Sequence, residues 1–334
     1  MSKRYILTQL ALTAALAGGF ATDAAALAQR TFVASFGSDA GPPPCSLAQP
    51  CRSFGVAISQ TLSGGEVIVL DSAGYGPATI SQPVSIIAPP GIYAGVSVFS
   101  GAGLTVNVPG GKVTLRGLTI NSLGGTTGIS VVASAALYID NMVVTNFPSS
   151  GLAVGVSASS SVYVSNSTFR DNGVGAVFGA SSGVLTVSVE STLFGRNGIG
   201  AFFQDSTVGT VHLSTMSGGG TGIMVQPATA TKTASIEVRD CTISDNSAVG
   251  VSATQSGAAS PVTLVTLVSS HVSGSPTGVV VTGANSSAYV SDSTISRTST
   301  GVIPASGGTI YSGVDNRLVN NLANGAFTAS ILKL

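Results

Sequence analysis

The sequence predicts an all-β solenoid, a parallel β-helix with coils of about 25 residues, and three observations predict it. The first is a repeat. The stretch from Ser161 to Phe178, SVYVSNSTFRDNGVGAVF, recurs in looser copies, and with Phe169 as register mark its equivalents are Ile120, Val144, Phe194, Met216, Ile243, Val272 and Ile295. The mean step between marks is 25 residues. The second is a pair of apolar columns. Five residues before the marks stand Leu115, Ile139, Val164, Val189, Val211, Val238, Leu267 and Val290, all aliphatic. Seven before stand Val113, Leu137, Val162, Val187, Gly209, Ile236, Val265 and Ala288, apolar except at Gly209. Two apolar positions flanking one polar position are the period-2 signature of a strand with one buried face.

The third observation is the placing of turn residues. Three before the marks come Gly117, Asn141, Asn166, Ser191, Leu213, Asp240, Ser269 and Asp292, mostly types that tolerate a left-handed backbone, so a bend separates two short strands. Six to eight after the marks come Gly128, Gly151, Gly175, Gly200, Gly222, Gly250, Gly278 and Gly301, opening a third strand. A unit of three short strands cannot bury its apolar face alone and must stack on its neighbours. Stacking at about 4.8 Å extends one core along an axis and lets Asn or Ser at turns hydrogen-bond to the copy above.

Taken in order, residues 1–28 combine a basic start (Lys3, Arg4), an apolar run from Tyr5 to Ala21, and Ala26-Leu27-Ala28 ahead of Gln29. This reads as an export signal cut after Ala28; the other reading is an uncleaved anchor, for which the apolar run is short. No lipobox cysteine follows, and no later segment is apolar and long enough to span a bilayer. Residues 29–65 are expected to form an N-terminal cap. Cys45 and Cys51 bracket the turn-rich SLAQP, which in an exported chain reads as a disulfide, with a metal half-site as the alternative. Between Cys51 and Leu62, the residues Phe54, Ala57, Ile58 and Leu62 fall on one helical face, predicting a short helix over the open end of the solenoid. Coils are expected over residues 66–306, irregular at first (Val67–Leu70, Val84–Ile87, Val96–Phe99, Leu104–Val108). Where the rhythm fades, residues 307–334 are expected to form a C-terminal cap closed by Phe327, Ile331 and Leu332.

Composition bounds the partners. Loss of Lys3, Arg4 and Asp23 with the leader leaves 11 basic and 12 acidic residues, and only 8% of the chain is charged, so no basic field exists for nucleic acid or anionic lipid. With 44% hydrophobic residues at regular spacing, disorder is excluded. The third cysteine, Cys241, lies two before the mark Ile243 and reads as a small buried side chain without chemistry.

Coils near 25 residues with an Asn-tolerant bend, and without the hexapeptide rhythm of left-handed helices, resemble the right-handed, pectin-lyase-like superfamily over roughly residues 60–320. The opening RTFVASFGSDAGPPPCSLAQPCRSFGVAISQT, with GGEVIVLDSAGYG and VSII after it, resembles secreted bacterial right-handed β-helix repeat proteins. That resemblance implies fold and export to the periplasm, cell surface or medium, and no reaction. The enzymes of the superfamily carry calcium-binding aspartates with a basic residue, paired aspartates with Gly-His-Gly, or Asp-Pro-His-Asp. None of these occurs here, and the two histidines, His212 and His271, lack such neighbours. No cofactor or metal is expected.

Any site belongs on outward columns, where coils differ. Six before the marks stand Thr114, Tyr138, Tyr163, Ser188, Thr210, Glu237, Thr266 and Tyr289; four before stand Arg116, Asp140, Ser165, Glu190, His212, Arg239, Val268 and Ser291. Tyr138, Tyr163, Arg116 and Asp140 are the candidate binding group: aromatic faces pack on sugar rings while polar groups take hydroxyls or carboxylates, making polysaccharide the expected partner. The plainer reading is an exposed β-face, where Tyr and Thr are favoured and opposite charges pair. For catalysis, Asp140 and Glu190 stand two coils apart, roughly 9.6 Å by strand spacing, near the upper end used by inverting glycoside hydrolases. His212 or Arg239 would then serve as acid or base. Arg170, Asp171, Arg196, Asp245 and Arg297 follow the marks on one turn side, giving either a surface ion pair between Asp171 and Arg196 or a site for an anionic sugar. The expectation is a non-catalytic exported scaffold that binds polysaccharide; the alternative is a lyase or hydrolase working from the same face.

Overall fold

The computed structural model describes residues 27–331 apart from 42–43, 230 and 256–261, so the proposed export signal lies almost wholly outside the described residues. Each coil contributes one strand to each of three parallel sheets, of 13, 11 and 11 strands. The coil holding Phe169 is typical: Ser160–Ser165 in the first sheet, Thr168–Arg170 in the second, Val174–Ala180 in the third. Copies pair in register, Val162 with Leu137 and Val187, and Phe169 with Val144 and Phe194. The marks and both apolar columns point into the shaft, where Leu115, Val164 and Val238 are at most 1% exposed. Phe169 stacks on Phe194 and Phe178 on Phe203, with ring centroids 5.4 and 5.2 Å apart.

The corners explain the turn residues. All eight residues three before the marks have positive φ, from 48° at Leu213 to 76° at Gly117. The glycine column works differently, because its members are the second residues of the third-sheet strands and have ordinary φ. A Cβ on Gly200 would come within 2.5 Å of the carbonyl of Gly222 on the next coil, and one on Gly175 equally close to that of Gly200, so lack of room selects glycine.

Two polar ladders run inside these corners. Asn172 and Asn197 are buried; the Asn197 side chain accepts from the Asn172 N–H (3.0 Å) and donates to the Phe169 carbonyl (2.9 Å). Asn246 and Asn321 repeat the pattern on later coils. A second ladder of small side chains two before the marks links Ser167, Thr192 and Ser214, each hydroxyl accepting from a backbone N–H of the preceding coil. Cys241 stands in this ladder, 2% exposed, its thiol donating to the carbonyls of Arg239 and Val211. Burial pushes that thiol up to about 11. These ladders pair the buried polar groups that tight corners would otherwise leave unsatisfied.

At the N-terminal end, Ala28–Val33 adds a strand to the first sheet beside Thr61–Val69, and helix α1 (Phe54–Gln60) covers the shaft. The Ser53 hydroxyl caps α1 by accepting from the Val56 N–H, and Phe54, Ala57 and Ile58 are buried beneath it. Leu62 does not belong to this face: the helix ends at Gln60, and Leu62 is 40% exposed in the following strand. A disulfide joins Cys45 and Cys51, whose Cα atoms are 4.8 Å apart.

At the other end, residues 309–331 make a further turn rather than a separate closing element, with Thr309–Ser312, Arg317–Val319, Ala323–Gly325 and Ala329–Ser330 entering the three sheets in sequence. Phe327 packs against the core while Ile331 is 44% exposed; Leu332 lies outside the described residues.

Candidate functional site

The outer face of the first sheet carries both polar columns in register. Tyr138 pairs with Thr114 and Tyr163, and Asp140 with Arg116 and Ser165, so Arg116, Asp140, Ser165, Glu190, His212 and Arg239 form one row along the axis. Parallel pairing imposes this alignment, because in-register coils set equivalent positions on top of one another.

Tyr138 and Tyr163 stack with centroids 4.8 Å apart and planes 8° from parallel. Lys112 stands over the far face of Tyr138, its Nζ 5.5 Å from the ring centroid. Tyr138 is therefore covered on both sides and acts as backing. Tyr163, 40% exposed, turns its other face toward Ser188, a side chain too short to cover a ring. The sequence pairs the two tyrosines without showing which one is open, and Lys112, one strand position before Val113, goes unnoticed in it.

Asp140 is fully engaged. Its carboxylate lies 3.2 Å from Arg116 Nε and accepts from the Ser165 hydroxyl and the Asn166 amide, both at 2.9 Å. Glu190 stands two rungs on, roughly 9.6 Å away by strand spacing, and its exposed side chain has no hydrogen bond or ion pair among the described residues. His212 turns to Asp240, Nε2 to Oδ2 3.1 Å, and Arg239 pairs with Glu237 at 2.6 Å. The four candidate catalytic groups share a row but do not converge on a common point. Glu237 is two residues before Arg239 in one strand, and that spacing alone places both on one face.

On the neighbouring corner, Asp171 lies between two arginines: Arg196 grips it through Nε and Nη2, both at 2.8 Å, and Arg170 Nη1 reaches it at 2.8 Å. The hydrogen bond from Arg196 leads in holding this carboxyl below its ordinary range. The arginines that an anionic sugar would need are thus already committed to a carboxylate. Asp245 and Arg297 approach to 3.8 Å.

One aromatic was missed. Tyr311 pairs in register with Tyr289, and the two rings stack at 4.9 Å with planes 20° apart. Its signal was an apolar Ile310 beside it, 22 residues after Ala288, within a stretch read as a cap. A cavity of about 210 Å³ opens beside this pair, lined by Thr266, Tyr289, Ser291, Tyr311 and Ile331. A larger one, about 440 Å³, lies among Phe36, Pro44 and Pro50 in the N-terminal region. Among the described residues no three His, Cys, Asp or Glu side chains gather as a metal cluster, and no helix is long and apolar enough to cross a membrane.

The family model described as "Right handed beta helix region" matches residues 102–295. No curated protein matches the sequence. Among solved structures, pectate lyase Pel9A aligns with a TM-score of 0.48 at 12% identity, over 89% of this chain and 78% of its own. XylC in complex with xylose aligns with a TM-score of 0.50 at 8% identity, over 84% of this chain and 68% of its own. At such identities the likeness is one of fold.

Proposed function

This chain belongs to the right-handed β-helix family, built as a solenoid of three parallel sheets, and from that premise we propose that it is an exported, non-catalytic scaffold binding neutral polysaccharide on the outer face of its first sheet. The export half of the proposal rests on residues 1–28. The observation that carries the binding half is the Tyr138–Tyr163 stack, in which a ring backed by its neighbour holds one face open. An exposed aromatic face takes the apolar side of a sugar ring, and a rigid stack loses little entropy on binding. Neutral glycans are favoured over uronates because Asp140 and Glu190 flank Ser165 on the adjacent rungs, while Arg116 and Arg239 are already ion-paired.

The second reading, a polysaccharide lyase or hydrolase, is favoured by one observation, the two-rung separation of Asp140 and Glu190 on a single row. One experiment addresses both. Electrophoresis through gels containing xylan, mannan, β-glucan or polygalacturonate should retard the protein on a neutral polymer, and Tyr163→Ala should abolish the retardation. Incubation with the same polymers should release neither reducing nor unsaturated ends. Released ends that vanish in Glu190→Gln would overturn the non-catalytic reading in favour of the enzyme.

A further inference from the structure

We propose that the first sheet carries a second aromatic wall, Tyr289 backed by Tyr311, and that it and Tyr163 close the two ends of one trough that holds a single neutral polysaccharide chain. The inference rests on the polysaccharide reading above and extends it to a new site and to a length requirement.

The two stacks are mirror arrangements along one column. Tyr163 has Tyr138 behind it and Ser188 before it; Tyr289 has Tyr311 behind it and Thr266 before it. Their open faces therefore look toward each other. Between them the same column runs through Ser188, Thr210, Glu237 and Thr266. Five rungs separate the walls, roughly 24 Å at the spacing of parallel strands. Tyr163 and Tyr289 are similarly exposed, 40% and 38%.

The chemistry of the floor selects the occupant. Three of its four side chains are hydroxyls, and its one acid, Glu237, is held by Arg239. Among the described residues of this floor no unpaired cation is offered to a uronate or phosphate, and three hydroxyls over four rungs suit a polyhydroxylated neutral chain. At the Tyr289 end the surface becomes concave. The cavity of about 210 Å³ sets the aromatic pair and Ile331 against the outward side chains of Thr266 and Ser291, which is the mixed lining a sugar ring requires. It is smaller than the roughly 300 Å³ at which pockets for drug-sized ligands begin, so it takes a single ring-sized group. Two weak sites joined by one flexible ligand gain about 10²–10⁴ in affinity when the ligand spans them, and nothing when it cannot.

The test uses wild type, Tyr163→Ala, Tyr289→Ala and Tyr289→Phe, each checked for unchanged thermal unfolding, on xylan, mannan and β-glucan and on size-fractionated fragments of each. The expected result is a step in affinity once fragments exceed roughly 24 Å, and a loss of about 100-fold for the polymer in either alanine variant. Tyr289→Phe keeps the ring and should bind as wild type. If Tyr163→Ala abolishes retention while Tyr289→Ala leaves it unchanged, the second wall is wrong and the proposed function stands. If only Tyr289→Ala weakens binding, the linked trough is wrong and so is the role of Tyr163. Wild type ignoring all three polymers would overturn both readings.

Discussion

Tyr163 and Val164 are neighbours in the chain and lie on opposite sides of one sheet: Tyr163 is 40% exposed on the outer face, Val164 1% exposed in the shaft. The alternation separates the outer face from the core. Val164→Asp puts a carboxylate among Ile139, Val189 and their neighbours without a partner, and should cost on the order of 3–5 kcal/mol. Tyr163→Ala gives up one exposed stack, about 1 kcal/mol. Urea midpoints of the two variants measure the difference, and equal midpoints would mean that the faces are reversed.

Asn197 predicts a different kind of loss. Asn197→Ala removes an acceptor from the buried Asn172 N–H and a donor from the Phe169 carbonyl. Each orphaned group costs about 1–3 kcal/mol. The variant should unfold at clearly lower urea with the Tyr138–Tyr163 stack intact below the transition, since the ladder lies between the second and third sheets and the tyrosines on the outer face of the first. Unchanged stability would show that water replaces the amide.

Leu213 is the one large aliphatic residue in its corner column, held at φ +48° and 54% exposed. A left-handed conformation costs a non-glycine residue about 1–2 kcal/mol, less for asparagine. Leu213→Asn should therefore raise Tm, by about 2 °C for a chain of this size. A lower Tm would reveal a contact of the leucine worth more than the strain.

Asp171 supplies a pH dependence. Its carboxyl is held low by Arg196 and then Arg170, so the folded state releases the proton more readily than the unfolded chain, whose value is about 3.9. The resulting stability is present above that value and disappears as pH falls through the depressed one. Wild type should exceed Asp171→Asn in stability at pH 7, and the gap should close progressively below about pH 4. A gap that is constant down to pH 2 would mean that packing, not charge, separates the two proteins. High salt should narrow it, because Arg196 is largely in water.

The inside of this molecule was legible because its repeats obey a rule of two. Val162 and Val164 are apolar around outward-facing Tyr163, and every marked coil but that of Gly209 reproduces the pattern at one distance from its mark. The left-handed corners were equally plain, down to Leu213, because their position is defined by the strands on either side. The asparagine ladder was harder to read: Phe147, Gly219, Ser275 and Thr298 interrupt the column that holds Asn172, Asn197, Asn246 and Asn321, so no single residue type marks it. Side-chain choices at the surface escaped the sequence for another reason. Register places His212 beside Glu190, yet its ring turns to Asp240 on a corner, and only rotamers decide that. Tyr311 was lost where a fading rhythm suggested a cap, although its own strand, Thr309–Ser312, continues the first sheet.

Cys241 replaces a hydroxyl in a ladder of serines and threonines, and the other two cysteines are tied together. A maleimide or iodoacetamide added at neutral pH meets no accessible thiolate while the coils remain stacked. Labelling at this position therefore counts the molecules whose central coils have parted, and the chain carries within itself a chemical clock for its own unwinding.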